Sequence, residues 1–268
     1  MKIPKTMKPL TILNEEVIRS YLRSDKVEIR IFSEIDSTNR EARRLANAGK
    51  SEAVLLLAEQ QSSGRGRLGR SFYSPAGAGI YMTYLWQPKA SAGDVISVTT
   101  AAAVAVLRAM RAIPQLADKD FAIKWVNDIY LSGKKLCGIL TEAVTDPADG
   151  TINSIWIGIG INVHPAAFPP ELSDIATSLG KDAPDRNELI AKILNELLLI
   201  LENPDRYAHM PYYRANSMVI GKQVNTICAD IIKPGTVLDV DKDGGLVILR
   251  ADGSVETIHS GEVSLRFS

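Results

Sequence analysis

Cysteine is scarce in this chain. Its 268 residues contain only Cys137 and Cys228. Both lie in apolar surroundings ("KKLCGIL", "VNTICADI"), which implies buried free thiols, no disulfide framework and a reducing compartment. Histidine is nearly as rare, and two thiols with three scattered imidazoles have no spacing that suits a zinc site. A surplus of charge is also missing. The 31 basic and 31 acidic side chains cancel, which argues against a protein whose main task is coating nucleic acid, because that affinity rests on excess Lys and Arg. No apolar run approaches membrane-spanning length. The stretch after Lys2, Lys5 and Lys8 is just "LTIL", too short for a signal-peptide core. The expectation is a soluble, cytoplasmic protein with no membrane partner. Internal repeats and low-complexity linkers are absent too.

What is present is an ordinary globular composition, 46% hydrophobic and 23% charged, long enough for one large domain or about two of ordinary size. Short helices are expected over 14–24 and 37–49. In the second, Thr38-x-x-Glu41 reads as a capping box and Gly49 as the stop. "AVLLLAEQ" (53–60) and the aromatic-rich "GIYMTYLWQ" (79–87) read as strands, and a long helix follows at 94–112. "FAIKWVNDIYL" and "LCGILTEAV" read as two strands joined by the turn "SGKK", and "SIWIGIGINV" (154–163) as another. A helix over 187–202 opens at Asp185-x-x-Glu188. After Gly221 short β-like runs alternate with the hairpin signals Asp243-Gly244-Gly245 and Asp252-Gly253. They describe a small antiparallel barrel, too short for much core of its own, and so expected to dock on the rest.

The most distinctive stretch is "SSGRGRLGRSFYSP" (62–75), with three glycines and three arginines between Gly64 and Arg70. Gly64-x-Gly66-x-x-Gly69 matches the dinucleotide fingerprint, but that motif needs a helix directly after it. "RSFYSPAGAG" cannot form one. An RNA-binding arm is a second reading, since Phe72 and Tyr73 could stack on bases, yet such arms tend to lie in disordered tails. A solvated loop is the bland third reading. It leaves the alternating glycines unexplained, as each adds unfolded-state entropy. A mobile clamp fits best, in which guanidinium forks grip phosphate or carboxylate oxygens bidentately.

"SGRGRLGRSFYSP" is preceded by "DSTN" (36–39) and followed by "KWVNDIY" (124–130), "KKLCGIL" (134–140), "GIGINV" (158–163) and "SGEVSLR" (260–266). In that order these segments resemble the biotin protein ligases, from about residue 32 onward. The resemblance implies an α+β fold, with a central mixed β-sheet and helices of the biotin/lipoate-ligase, class II synthetase-like kind. It adds a small C-terminal SH3-like β-barrel, and the division is 1–219 catalytic and 220–268 barrel. It also implies ATP-dependent activation of biotin as biotinyl-5′-AMP, then transfer to a lysine of a biotin carboxyl carrier protein domain. ATP with Mg²⁺ and biotin are then substrates, with no tightly bound prosthetic group.

Residue by residue, the resemblance assigns Lys135 as the catalytic lysine bridging carboxylate and α-phosphate. Arg65 and Arg67 close over biotin and the adenylate, with Arg67 facing the developing phosphate charge. Ser37, Thr38, Asn39 and Gln61 take the biotin side, the first two and Gln61 at the ureido ring, and Gly138 allows ligand to approach the strand. Arg70, Phe72, Lys124, Asn127, Asn162 and Arg266 take the nucleotide side. Asn127 and Asp128 could serve Mg²⁺, the ribose or the incoming amine; Asp128 is the tentative metal ligand and third catalytic residue. Val126 stands where the family usually has proline, and Phe72 where tryptophan is common. Cys137 is a packing position, Trp86, Trp125 and Trp156 are core residues, and no step requires His164. Only 36 residues precede Ser37, too few for a winged helix-turn-helix, so no DNA partner is expected; a homodimer is left open. A lipoate or octanoate ligase is the rival within the fold, and a single-strand-binding protein the rival from another class.

Overall fold

The structure, a computed structural model, describes residues 11–50, 52–87, 90–91, 94–145, 151–165, 168–228 and 231–265. In chain order the first part comprises α1 (Glu15–Tyr21), β1 (Glu28–Phe32), α2 (Thr38–Asn47), β2 (Val54–Ala58), β3 (Gly79–Trp86), β4 (Ala90–Ser91) and α3 (Asp94–Arg111). It continues through β5 (Phe121–Lys124), β6 (Asp128–Leu131), β7 (Lys134–Thr145), β8 (Thr151–Asn162), α4 (Arg186–Leu201) and α5 (Met210–Ala215). The second part is all strand: β9 (Gln223–Cys228), β10 (Ile231–Val240), β11 (Leu246–Leu249), β12 (Val255–Ile258) and β13 (Glu262–Leu265).

The larger sheet runs β1-β2-β3-β8-β7-β6-β5, with β4 beside β8. Among the described residues only β1 and β2 are parallel; every other strand pair of this sheet is antiparallel. The expected mixed sheet with helices is therefore present. Side chains alternate across it. Ile155, Ile157, Ile159 and Ile161 of β8 enter the main core with the small apolar residues of α3 and with α4. On the opposite face Trp156 packs with Leu56, Leu85 and Ala42 under α2. Further along β8 that face carries Gly158 and Gly160, where the sheet is bare.

Three local expectations need correction. Residues 121–131 are a hairpin, not one strand: Lys124 pairs with Asp128 and the chain reverses through Trp125–Asn127. The turn's polar groups find distant partners. Tyr213 Oη donates to the Val126 carbonyl (3.1 Å), Trp125 Nε1 to the Gly244 carbonyl (2.9 Å) and Asn127 Nδ2 to the Ile139 carbonyl (2.8 Å). The N-cap of α2 is Ser37, extended at φ −165°, and not Thr38; the Thr38 hydroxyl turns instead toward Gln61 and Thr83. Cys137 is buried, but Cys228 is half-buried, its thiol donating to the Ser260 carbonyl (3.2 Å); both are free. The "SGKK" turn stands, with Ser132 and Gly133 both at positive φ.

The second sheet runs β12-β11-β10-β9-β13, antiparallel throughout and of SH3-like kind, with β12 and β13 as its edges. It docks as its length requires. Val224, Val237, Val240, Leu246, Ile248 and Val263 belong to the same apolar cluster as α3 and β8. Polar ties reinforce that contact, from Arg214 Nε to the Val240 carbonyl (2.6 Å) and between Tyr207 Oη and Asp243 (2.8 Å).

One buried charge anchors the start of the described chain. Arg186, 1% exposed at the head of α4, donates to the Gly79 carbonyl (3.0 Å), to the Thr11 carbonyl and to Glu59 Oε2 (2.8 Å). Glu59 Oε1 in turn accepts from the Leu13 amide (2.6 Å). Removing one partner strands the other charge, so Glu59→Ala is expected to lower unfolding stability by about 3–5 kcal/mol in denaturant titration.

A second expectation concerns pH. His209, buried with its Nε2 at 2.8 Å from Thr100 Oγ1, is pushed by burial from its ordinary 6.5 to about 4. Between those values the unfolded chain binds the proton and the folded one does not. The stability it carries is complete above pH 6.5 and lost as pH falls toward 4. Thermal unfolding of His209→Gln is expected to show a flatter midpoint–pH profile across that window than the parent.

Candidate active site

A cleft of about 440 Å³ opens on the bare face of the larger sheet. Its walls come from the start of α2, the Gly–Arg segment, the β5–β6 hairpin, β7, β8 and the edge of β13. Of the residues singled out from sequence, Ser37, Thr38, Asn39, Gln61, Arg65, Arg67, Arg70, Phe72, Lys124, Asn127, Asp128, Lys135, Gly138 and Asn162 all line it. Arg266 lies outside the described residues.

The Gly–Arg segment is a small hairpin, not a phosphate turn leading to a helix. Gly66 N–H donates to the Arg70 carbonyl (2.8 Å) and Phe72 N–H to the Gly64 carbonyl (2.9 Å). Gly69 sits at φ +75° at its tip, and a Cβ on Gly64 would come within 2.4 Å of the Phe72 carbonyl oxygen. The arginines reach three separate docks. Arg65 Nη1 donates to Glu142 Oε1 (3.2 Å), and Arg70 Nη2 pairs with Glu262 Oε2 (2.7 Å). Arg67 Nη1 donates to Asn127 Oδ1 (3.0 Å) and its Nη2 to the Gly261 carbonyl (3.3 Å). A guanidinium carries five N–H donors, so Arg67 keeps three for a ligand.

Lys135 extends from the start of β7, its backbone held by the 175–177 segment through the Ile175 carbonyl (2.8 Å) and the Thr177 amide (2.9 Å). Its Nζ lies 2.7 Å from Asp128 Oδ2. Asp128 Oδ1 is buried without a hydrogen-bond partner among the described residues. Lys124 Nζ approaches Tyr130 Oη (3.3 Å) and stands 5.3 Å from the ring centroid. Burial and the Asp128 charge raise the Tyr130 phenol above its usual pKa. Asn162 commits its amide nitrogen to the Thr177 carbonyl (3.0 Å). The neighbouring Lys134 is exposed and touches the Ser173 carbonyl (3.2 Å).

The opposite end is polar and hydrogen-bonding, with the lining Arg65 neutralised by its pair with Glu142. Gln61 Oε1 accepts from the Thr38 amide (2.9 Å) and Gln61 Nε2 donates to Ser74 Oγ (2.9 Å). Asp36 accepts both terminal nitrogens of Arg44 (2.9 and 3.1 Å), which holds its carboxyl at about 2 and fixes the entry to α2. The Phe72 ring lies over the bare strands, where a Cβ on Gly160 would meet it at 2.7 Å. Asn39 packs on Gly158 in the same way.

Three contributors were missed from sequence. Glu142 accepts from Arg65, Asn39 Nδ2 (3.1 Å) and Trp156 Nε1 (3.1 Å). Its signal was legible: on β7 it shares a face with Gly138 and Leu140, a lone carboxylate in an apolar alternation. Thr83 and Glu262 carried no such signal.

Two family models match the chain, "Biotin/lipoate A/B protein ligase family" over residues 31–162 and "Biotin protein ligase C terminal domain" over 219–266. The Bacillus subtilis bifunctional ligase/repressor BirA is 32% identical over 264 residues, covering 94% of this chain and 79% of that protein. The biotin–[acetyl-CoA-carboxylase] ligase of Mycobacterium tuberculosis is 32% identical over 251 residues, covering 88% of each. The Aquifex aeolicus biotin protein ligase, solved with biotin and ATP, superposes with a TM-score of 0.72 at 29% identity, covering 90% of this chain and 99% of that one.

Gly158→Ala tests the packing of the bare face. The new Cβ would fall 1.9 Å from Asn39 Oδ1, a side chain held on three sides. Overpacking there is expected to cost about 1–3 kcal/mol in thermal unfolding, with loss of small-ligand binding in the cleft by calorimetry.

Proposed function

For a chain that belongs to the biotin protein ligases, we propose the following division of labour in the cleft. The enzyme is an ATP-dependent ligase that activates biotin as biotinyl-5′-AMP and transfers it to a lysine of a protein. The observation that carries the assignment of ends is a gradient of charge. Thr38 and Gln61 make one end neutral and hydrogen-bonding, while Lys135, Lys124, Arg67 and Arg70, set against Asp128 and Glu262, leave the other with a cationic surplus. A cyclic urea suits the first and a triphosphate the second.

Ser37, Thr38, Asn39 and Gln61 form the ureido pocket, and Gly138 and Gly160, lacking side chains, let the Phe72 ring pack against the sheet as the wall beside the biotin rings. The biotin carboxylate then reaches Lys135 and Arg67. There it attacks the α-phosphorus, pyrophosphate leaves, and cations offset the repulsion between two approaching anions. Asn162 keeps its amide oxygen for the adenine amino group. Arg65, tied to Glu142, closes the clamp over the product.

Magnesium enters with the nucleotide as part of the substrate. No cluster of three or more metal-ligating side chains occurs among the described residues. Mg²⁺ bound through phosphates and waters needs only one or two protein carboxylates, and the unpartnered Oδ1 of Asp128 is a fitting donor. In the second half-reaction the acceptor is a lysine on a biotin carboxyl carrier domain, whose amine attacks the mixed anhydride and releases AMP. The chain divides near 219/220, with the C-terminal part contributing the docks for Arg67 and Arg70. Among the described residues no helix is long and apolar enough to cross a membrane, and we place the enzyme in the cytoplasm.

Biotin-dependent exchange of labelled pyrophosphate into ATP tests the reading, with lipoate and octanoate as controls. Exchange with biotin alone is expected; exchange with neither biotin nor the controls would overturn it. Arg67→Ala loses a charge-assisted contact of about 1.5–3 kcal/mol, so it should release biotinyl-AMP with roughly 10- to 150-fold lower affinity. A variant that holds the adenylate as long as the parent would remove Arg67 from that role.

A further inference from the structure

The direction of each hydrogen bond around Thr38 follows from counting protons. Asn39 Nδ2 lies 3.2 Å from the Leu140 carbonyl oxygen and 3.1 Å from Glu142 Oε2. Both are acceptors only, so the amide must turn its NH₂ to them and its Oδ1 to Thr83. Thr83 Oγ1 stands 2.7 Å from that Oδ1 and must donate to it. A hydroxyl has one proton. The second contact of Thr83, at 2.8 Å from Thr38 Oγ1, therefore requires Thr38 to donate and Thr83 to accept.

Gln61 is oriented by the same rule. Its Oε1 accepts from the Thr38 amide, its Nε2 donates to Ser74 Oγ, and Ser74 donates to the Phe72 carbonyl. Thr38 Oγ1 and Gln61 Oε1, 3.2 Å apart, are left as adjacent acceptors with no proton between them. Both belong to residues lining the cleft. Such a pair is satisfied by N–H donors from a ligand, and repels a ligand that presents oxygen there.

We propose that Thr83 and Glu142 are positioning residues that make the Thr38 hydroxyl an obligate acceptor and so select ligands bearing ring N–H groups. The Glu142 carboxylate holds Asn39 one way round, Asn39 takes the only proton of Thr83, and Thr83 draws the proton of Thr38 away from the cleft. Neither residue lines the cleft, and Thr83 is fully buried. The inference rests on the biotin reading of this pocket, whose ureido N–H groups are the donors. Because Glu142 also holds Arg65, Thr83 is the cleaner probe.

The test is calorimetric titration of the full chain with biotin in the absence of ATP, alongside KM for biotin and for ATP in pyrophosphate exchange. Thr83→Val keeps the shape, removes the proton and frees Thr38 to aim its own proton at Gln61 or the cleft. Biotin affinity is expected to fall about 10- to 50-fold, with biotin KM rising alike and kcat and the KM for ATP within about two-fold of the parent. Thr83→Ser should recover biotin affinity to within about three-fold, and in a Thr38→Ala background Thr83→Val should add less than about two-fold. Thr83→Ala, as a second variant should Thr83→Val fold poorly, is expected to weaken biotin in the same Thr38-dependent way.

Unchanged biotin affinity in Thr83→Val, equal impairment in Thr83→Ser, or full additivity with Thr38→Ala would each overturn the relay. A parent protein that neither binds biotin nor supports exchange would overturn the biotin reading itself, and the relay with it. Parent activity with an indifferent Thr83→Val overturns the relay alone.

Discussion

The guanidinium of Arg67, shared between the Asn127 side chain and the Gly261 carbonyl, is the contact on which the site depends. A protein with no net charge must concentrate its cations to bring a carboxylate against a phosphate. Concentrated cations repel one another unless each has its own acceptor. The three arginines of the Gly–Arg hairpin solve this by diverging, to Glu142 on β7, to Asn127 and Gly261, and to Glu262 on β13. Charge is thereby gathered on one short segment while the segment itself is held from three directions. The Lys135–Asp128 pair works alike, since a carboxylate at 2.7 Å keeps the ammonium oriented toward the cleft mouth of β7.

Much of this was legible in the amino-acid sequence, for an understandable reason. The Gly–Arg hairpin, Lys135, Asp128 and the two β8 glycines lie in short local motifs whose residue types are restricted by close approach or by charge. The first four helices and most strands announced themselves through periodicity and caps, whereas α5 and β1 did not. What escaped was set by partners far along the chain. Residues 121–131 show a strand-like run with no glycine or proline, and Asn127-Asp128 is a weak local mark of the reversal. The turn is stable because Tyr213, Gly244 and Ile139 satisfy its polar groups. Thr38 reads as a cap until β3 supplies Thr83 as the partner of its hydroxyl, and Ser37 takes the N-cap position without a side-chain bond to the helix amides.

Thr83 shows the limit most clearly. In sequence it is one hydroxyl in an aromatic strand, indistinguishable from a packing residue. Only the register of β3 on β8, which pairs Thr83 with Gly158, leaves space for Asn39 to reach across. A second register, of β7 on β8, opposes Gly138 to Gly160, so two strand alignments that meet at β8 create the polar anchor and the bare surface beside it.

The docks for Arg67 and Arg70 lie 194 and 192 positions beyond the arginines themselves. During synthesis the hairpin leaves the ribosome well before these two acceptors emerge. Translation therefore moors the loop in two stages, on Asn127 and Glu142 first and on Gly261 and Glu262 later, and a chain interrupted between them carries the cationic loop half-tethered.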